Sequence, residues 1–518
     1  MRAHTPSATR ARRLISLFAS FAVVAALTSG CSEIAEWIPG QATEAATPLE
    51  VPQDQQDLAR FYEQRLDWVS CGQGECAELT VPVDYADPEG ETIEISVLKM
   101  PTRSARDRVG SIVVNPGGPG GSGVDYATAA DVIVGPQVRQ RFDIVGFDPR
   151  GVGRSAPIDC LSDVEMDEYV SLSVASESGE GHGPATADED FVQGCATNAG
   201  SLLKHVSTMD VAKDLDVLRA ALGEEQLNYL GKSYGSYLGA VFAEQFPDRV
   251  GRFVLDGALP PDLGPDELTI GQAVGFERAS QAWAQDCVEE GSCPLGSSAD
   301  EVVQGLADLL NRLSTDPVPV RGDARVEELN DSWAFFGIIR PMYDQGMWSM
   351  LTEALRDVVD RDDGTALMEL ANGYLERSPN GVYLGNLIES NLVINCLDRG
   401  GSADPAALEA QAEQAAPVWG ALMTGESSPC EIWPTEPVGG VRTITAAGSA
   451  PIVVVGTTRD PATPYEWSKR LADQLQSGVL VSFDGDGHTA YMRSNECVNG
   501  AIDAFYVDGT VPENGLEC

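Results

Sequence analysis

The sequence predicts a doubly wound α/β fold, a mostly parallel sheet with helices on both faces, interrupted by an inserted helical lid. Three observations carry that expectation. Short, mostly apolar runs at 111–114, 142–147, 253–255, 452–455 and 479–483 are typical of strands buried on both faces. Helical patterns alternate with them, as at 211–222, where Leu215, Leu218, Ala221 and Leu222 fall on one side. After Pro260-Pro261 the pattern changes, and to about residue 395 it reads as helices with no convincing strand run.

In chain order, Arg2, Arg10, Arg12 and Arg13 precede an apolar run at 14–27 that is too short for a typical spanning helix. Leu27-Thr28-Ser29-Gly30-Cys31 ends this segment, 1–31, and resembles a bacterial lipoprotein signal, in which Cys31 becomes the lipidated amino terminus. The other reading is an ordinary secretory signal cleaved nearby; either way the mature protein leaves the cytoplasm. Residues 32–56, rich in Ala, Glu, Pro, Gln and Thr, predict a flexible tether. Residues 57–260 form the first part of the core domain, opening with a hairpin of 79–85 and 93–98 around Asp87-Pro88-Glu89-Gly90. The lid is 261–395, with helices at 270–287, 299–313, 348–359 and 366–375. Its aromatics, Trp283, Trp333, Phe335, Phe336, Tyr343 and Trp348, are expected chiefly as its own core. Residues 396–518 return to the sheet, with a helix at 465–475 and a last helix at 497–506.

Composition excludes some functions. A chain of 518 residues is too long for one ordinary core, which fits a domain with a large insertion. A formal net charge of −45 argues against a nucleic-acid partner, which requires basic surface. Setting Cys31 aside, the eleven cysteines leave an even ten, as an oxidising compartment favours. Their spacing suggests neighbours pairing in order: Cys71–Cys76, Cys160–Cys195, Cys287–Cys293, Cys396–Cys430 and Cys497–Cys518. A zinc site has no matching spacing, and only His205 and His488 of the four histidines lie near a cysteine.

The stretch 227–239 organises the rest. An apolar run (Leu227, Tyr229, Leu230) meets Gly231-Lys232-Ser233-Tyr234-Gly235, and a helical pattern follows through Leu238, Val241, Phe242 and Phe246. Strand, tight turn and helix is the setting in which Gly-x-Ser-x-Gly presents a nucleophilic serine. A serine nucleophile needs a base, and the base an orienting acid. His488, on a Gly-rich loop after the last apolar run, is the candidate base. Asp460, in the exit loop of the run at 452–455, is the candidate acid, giving the order Ser, Asp, His. Asp256 is the rival and is read as bracing the approach to the lid; Asp486 is nearer His488 only in sequence. The oxyanion needs two backbone N–H donors. Tyr234 supplies one; the other comes from the turn Asn115-Pro116-Gly117-Gly118-Pro119-Gly120-Gly121-Ser122-Gly123, with Gly118 preferred and Gly117 second. That turn lacks the Gly-Lys-Ser/Thr ending of a phosphate loop, and no cofactor or metal is expected. The run Asp148-Pro149-Arg150-Gly151 reads as a structural turn beside the site.

Together these residues resemble the α/β-hydrolase serine peptidases of the prolyl aminopeptidase and tripeptidyl aminopeptidase type. The resemblance also takes in Phe246-Pro247-Asp248-Arg249-Val250, Val254-Leu255-Asp256-Gly257, Asp460-Pro461-Ala462-Thr463-Pro464 and Gly487-His488. Cys497 and Cys518 are similar to the tripeptidyl aminopeptidase carboxyl-terminal domain. Lys232 and Asn115-Pro116 depart from the commoner family residues. The resemblance implies an α/β-hydrolase fold and a hydrolase acting on peptides from their free amino termini, or alternatively on small esters; the signal segment adds export, with the membrane as partner through the lipid on Cys31. A non-catalytic envelope binding protein on the same fold is the reading of another class. Fixing a substrate ammonium away from water requires a carboxylate or carbonyl; Glu277, Asp344, Glu389 and, just past the lid, Asp398 are the acids considered for it.

Overall fold

A computed structural model describes residues 51, 53–172, 184–291, 293–424 and 427–518. Cys31, the signal segment and most of the tether lie outside the described residues.

Twelve strands occur among these residues: β1 (Val69–Cys71), β2 (Gly74–Pro82), β3 (Thr92–Met100), β4 (Gly110–Asn115), β5 (Phe142–Phe147), β6 (Leu227–Lys232), β7 (Val250–Asp256), β8 (Val318–Pro319), β9 (Glu328–Leu329), β10 (Ile452–Arg459), β11 (Gly478–Asp486) and β12 (Leu516–Glu517). Ten form one sheet in the order β1-β2-β3-β5-β4-β6-β7-β10-β11-β12. The edge from β1 through β3 to β5 is antiparallel, and from β5 to β12 every pairing is parallel. The hairpin turn closes through Gly90 N–H donating to the Asp87 carbonyl at 2.9 Å.

Alternate residues of the parallel strands feed two separate cores, the period-2 consequence of the pleat. Val113, Val145, Tyr229, Leu255 and Val454 face the helices Thr208–Ala221, Tyr234–Gln245 and Tyr465–Gln474. Ile112, Val114, Ile144, Leu230, Val254 and Val455 face the other side, covered by Gly123–Thr128, Pro136–Arg141 and Glu496–Asp508. Both faces are buried, which is why these strands read as continuous apolar runs.

Register sets the site. Asn115 pairs with Gly231, Lys232 with Asp256, and Asp256 with Val455. The carboxyl ends of β4, β6, β7 and β10 therefore lie along one edge, and the turns that leave them converge there.

Between β7 and β10 the chain runs through the helices Pro265–Glu289, Ala299–Leu313, Asp331–Met342, Trp348–Arg361, Thr365–Tyr374, Leu387–Arg399, Pro405–Ala415 and Trp419–Met423. Two features differ from the sequence reading. A small antiparallel pair, β8 with β9, sits inside the helical stretch; each strand has two residues, too few to show a period. Helix Leu387–Arg399 runs across position 395, and helices continue to Met423 before the sheet resumes at Ile452. Trp283, Trp333 and Trp348 are buried in the packing of these helices.

Disulfides join Cys71–Cys76, Cys160–Cys195, Cys287–Cys293, Cys396–Cys430 and Cys497–Cys518, with Cα separations of 4.1–5.8 Å. Cys497–Cys518 fastens the chain end to the last helix. No helix among the described residues is long and apolar enough to cross a membrane.

Candidate active site

Ser233 sits between β6 and helix Tyr234–Gln245 with φ 57° and ψ −125°, a conformation that costs about 1–3 kcal/mol for a residue with a side chain. Its surroundings hold it there. Ser233 N–H donates to the Asp256 carbonyl at 2.9 Å, and its own carbonyl accepts Ser236 N–H at 2.8 Å and Ser236 Oγ at 2.5 Å. The flanking glycines are required by close approach. A Cβ on Gly231 would lie 2.2 Å from the Gly235 carbonyl oxygen, and one on Gly235 2.8 Å from that of Asn115.

His488 follows Gly487, whose φ is +99°. Its Nδ1 lies 2.8 and 2.9 Å from the two carboxylate oxygens of Asp460. A carboxylate at Nδ1 places the proton there and leaves Nε2 as a bare acceptor. Nε2 is buried and has no hydrogen-bond partner among the described residues. The Tyr343 ring meets the imidazole edge-on at 5.2 Å. The Tyr343 carbonyl also accepts His488 N–H at 3.0 Å, so the inserted helices touch the histidine's own backbone.

Asp460 is fully buried. Its Oδ1 accepts Ala462 N–H at 3.0 Å and Thr463 N–H at 2.8 Å, and its Oδ2 accepts Thr489 N–H at 3.1 Å. These bonds orient the carboxylate toward the imidazole. Asp256 has a different task. Its oxygens accept Ala490 N–H and Tyr491 N–H, both at 2.9 Å, so it grips the loop that follows His488 rather than bracing the approach to the lid. Lys232 adds to that grip, donating from Nζ to the Tyr491 carbonyl at 2.8 Å with Asp256 3.6 Å away. Burial holds the Lys232 pKa below the usual lysine value, with Asp256 opposing. Asp486 turns to Arg459, at 2.7 and 3.0 Å.

The glycine turn after β4 presses its backbone against the elbow. A Cβ on Gly117 would lie 2.6 Å from the Lys232 carbonyl oxygen and 2.8 Å from Ser233 Cβ, and its φ is +104°. Gly117 N–H donates to Asn115 Oδ1 at 3.0 Å. Gly118 N–H has no acceptor among the described residues, and Tyr234 N–H is the first of its helix, where no intrahelical acceptor exists. The run from Asp148 to Arg150 is structural: Arg150 is buried, pairs with Asp214 through two 2.7 Å bonds and donates to the Pro82, Val83 and His205 carbonyls.

Ser233, Gly117, Gly118 and His488 line one cavity of about 630 Å³, with Asp460 behind His488. Its far walls are largely apolar and come from the inserted helices, among them Phe336, Tyr343, Leu387, Ile388 and Leu392, and from Tyr169, Val170 and Leu172 upstream of β6. The acids considered from sequence for a substrate amine do not line it. Glu277 accepts Val418 and Trp419 N–H, both at 3.0 Å, and Asp344 pairs with Arg493 at 3.0 Å. Glu389 accepts Cys160 N–H at 2.6 Å, and burial raises its pKa to about 7. Asp398 accepts Thr208 N–H at 2.8 Å, and burial raises its pKa to about 6. Glu277, Glu389 and Asp398 thus serve as acceptors for backbone N–H groups, and Asp344 is an exposed partner of Arg493. The acids that do line the cavity are Asp188 and Glu376. Glu376 holds φ 53°, a left-handed conformation costing about 1–2 kcal/mol for a non-glycine residue. Nothing in a linear sequence marks that backbone state, and Asp188 lies far upstream of the stretch read as the lid.

Comparison with known proteins adds the following. A protein-family model described as TAP-like protein matches residues 416–518. Over 529 residues the chain is 35% identical to the serine protease Hip1 of Mycobacterium tuberculosis (strain ATCC 25618 / H37Rv), with 98% of each chain covered. It is 36% identical to carboxylesterase B of the same organism over 491 residues, covering 93% of this chain and 92% of that one. It is 30% identical to the tripeptidyl aminopeptidase of Streptomyces coelicolor (strain ATCC BAA-471 / A3(2) / M145) over 482 residues, covering 89% and 87%.

Proposed function

Since the chain belongs to the α/β-hydrolase serine peptidases of the tripeptidyl aminopeptidase type, we propose that it releases short peptides from free amino termini through an acyl-enzyme on Ser233. The observation that carries the reading is one cavity shared by a strained serine and a histidine whose Nε2 is buried with no partner among the described residues.

Ser233 Oγ attacks the scissile carbonyl while His488 Nε2 takes its proton. The imidazolium that forms is stabilised by Asp460, already within 2.9 Å of Nδ1. The carbonyl oxygen becomes an oxyanion held by the N–H groups of Gly118 and Tyr234. One such donor contributes about 10²–10³ in rate. His488 returns the proton to the leaving amine, and water repeats the sequence on the ester. The helix that starts at Tyr234 adds its positive end to the same oxygen.

An esterase reading has one specific support, the similarity to a carboxylesterase; the same three residues serve ester and amide. Chromogenic tripeptides with free and acetylated amino termini, assayed beside simple esters, separate the two. For an aminopeptidase, acetylation lowers kcat/KM about a hundredfold, ~3 kcal/mol for a lost charged contact. Equal turnover of free and blocked peptides rejects the aminopeptidase and leaves a general hydrolase.

The protein is proposed to act outside the cytoplasm, anchored by a lipid on Cys31. The five disulfides support export, and the small residues before Cys31 support the anchor. Mass spectrometry of the mature amino terminus is expected to find lipidated Cys31, and Cys31→Ala to release the protein from membranes. An unmodified terminus beyond Cys31 indicates a freely secreted enzyme instead.

A further inference from the structure

Resting on the acyl-enzyme mechanism above, in which Tyr234 N–H holds the oxyanion, we infer that Asp398 is a positioning residue for that donor, acting through Thr208 and the Tyr234 phenol. The three side chains form one buried chain. Thr208 N–H donates to Asp398 Oδ1 at 2.8 Å, and Thr208 Oγ1 donates to Asp398 Oδ2 at 2.5 Å. The same Thr208 Oγ1 meets the Tyr234 hydroxyl.

The direction of the chain is fixed. Burial raises the Asp398 carboxyl to about 6, opposed first by the charge of Arg399, so at neutral pH it is ionised and only accepts. A hydroxyl has one hydrogen to give. Thr208 gives its own to Asp398 and therefore accepts the one from Tyr234. Tyr234 thus carries an anchored phenol at one end and the oxyanion donor at the other. Its N–H opens helix Tyr234–Gln245 and lies against the glycine turn, where a Cβ on Gly117 would come within 3.2 Å of the nitrogen. Anchoring the phenol fixes the rotation of the side chain and with it the main-chain path that aims the N–H.

The support of Asp398 also reaches the other donor. Asp398 lies near the carboxyl end of helix Leu387–Arg399. The first turns of that helix pack on the glycine turn that carries Gly118. Asn391 Nδ2 donates to the Pro119 carbonyl at 3.2 Å, and a Cβ on Gly120 would lie 2.7 Å from the Leu387 carbonyl oxygen. At the far end Arg399 sets its guanidinium 4.3 Å over the Tyr237 ring, which meets the Tyr234 ring at 6.0 Å. One helix bears on both donors while Leu387, Ile388, Asn391 and Leu392 line the substrate cavity.

The test compares wild type with Asp398→Asn, Thr208→Val, Thr208→Ser, Tyr234→Phe and the double variant of Asp398→Asn with Tyr234→Phe. An amide at 398 reverses the chain: it donates to Thr208, which then donates to Tyr234 and leaves the phenol hydrogen without its acceptor. Asp398→Asn, Thr208→Val and Tyr234→Phe are each expected to lower kcat on a free-amino tripeptide anilide about ten- to a hundredfold with KM unchanged, part of what one whole donor contributes. On p-nitrophenyl acetate kcat/KM should fall similarly. Phenylboronic acid, whose tetrahedral adduct on Ser233 fills the same hole, should bind more weakly by a like factor. Thr208→Ser, which keeps the hydroxyl, should restore most of the kcat that Thr208→Val loses. The double variant should lose no more than the larger single loss, because the residues act in one chain. Folded single variants with wild-type kcat and boronate affinity, changed only in melting temperature, would overturn the inference, as would losses that multiply in the double variant. If Asp398→Asn does not fold, Thr208→Val, Thr208→Ser and Tyr234→Phe carry the same comparison. The ester is a substrate in either functional reading, so this result is independent of any preference for free amines, which the acetylated peptide tests separately.

Discussion

Ser233→Ala is expected to lower kcat by about 10⁴–10⁶-fold without unfolding the protein, the loss measured when a nucleophile is removed from a three-residue unit. The side chain itself makes no hydrogen bond with any described residue; the elbow is held by main-chain groups and by Ser236. Removing Oγ therefore deletes chemistry and leaves the turn. A fluorophosphonate probe should stop labelling the variant, and thermal melting should be unchanged. His488→Ala should lose a similar amount, and the double variant no more than either single one, because the two groups act in one step. Substantial turnover by a folded Ser233→Ala protein would falsify the assignment.

Asp460→Asn should reduce kcat by about 10⁴-fold. An amide facing Nδ1 presents an N–H where the carboxylate accepted one, which favours the imidazole tautomer with its proton on Nε2. The base is then protonated on the side that faces Ser233. Asp256→Asn makes the informative contrast. Asp256 holds Ala490 and Tyr491 N–H and lies 3.6 Å from Lys232 Nζ. Its loss should show mainly as a lower melting temperature, with much milder loss of turnover. A crippled Asp256→Asn beside an active Asp460→Asn would exchange the two roles.

What the sequence showed follows from how far each signal reaches. The parallel strands and the elbow are local: β6, Gly231 to Gly235 and the following helix need only a run of neighbours to be recognised. Asp460 and His488 were legible because each occupies the exit of an apolar run, and strand ends converge in this architecture. The failures are of another kind. β8 and β9 have two residues each, below any period. Asp256 looked like a brace for the lid because β7 leads into it; only the fold brings the loop after His488 onto its carboxylate. The acids considered for the substrate amine were chosen by position in the chain. Glu277, Glu389 and Asp398 instead cap backbone N–H groups of distant segments, a need that linear order does not display. Asp188 and Glu376 reach the cavity from segments far apart in the chain, a meeting that only the fold produces.

The bond from the Tyr343 carbonyl to His488 N–H runs main chain to main chain. Such a joint is blind to side-chain identity at position 343 but not to the path of the turn between helices Asp331–Met342 and Trp348–Arg361. Substitutions in that turn leave the oxygen where it is, whereas a one-residue insertion or deletion moves it by up to a full residue repeat, about 3.8 Å. The inserted region is thus free to diverge in composition while its length between those two helices is pinned by the histidine below it. Anyone grafting a new specificity onto this scaffold inherits that constraint: loops can be exchanged on either side of the joint, but the spacing across it must be kept.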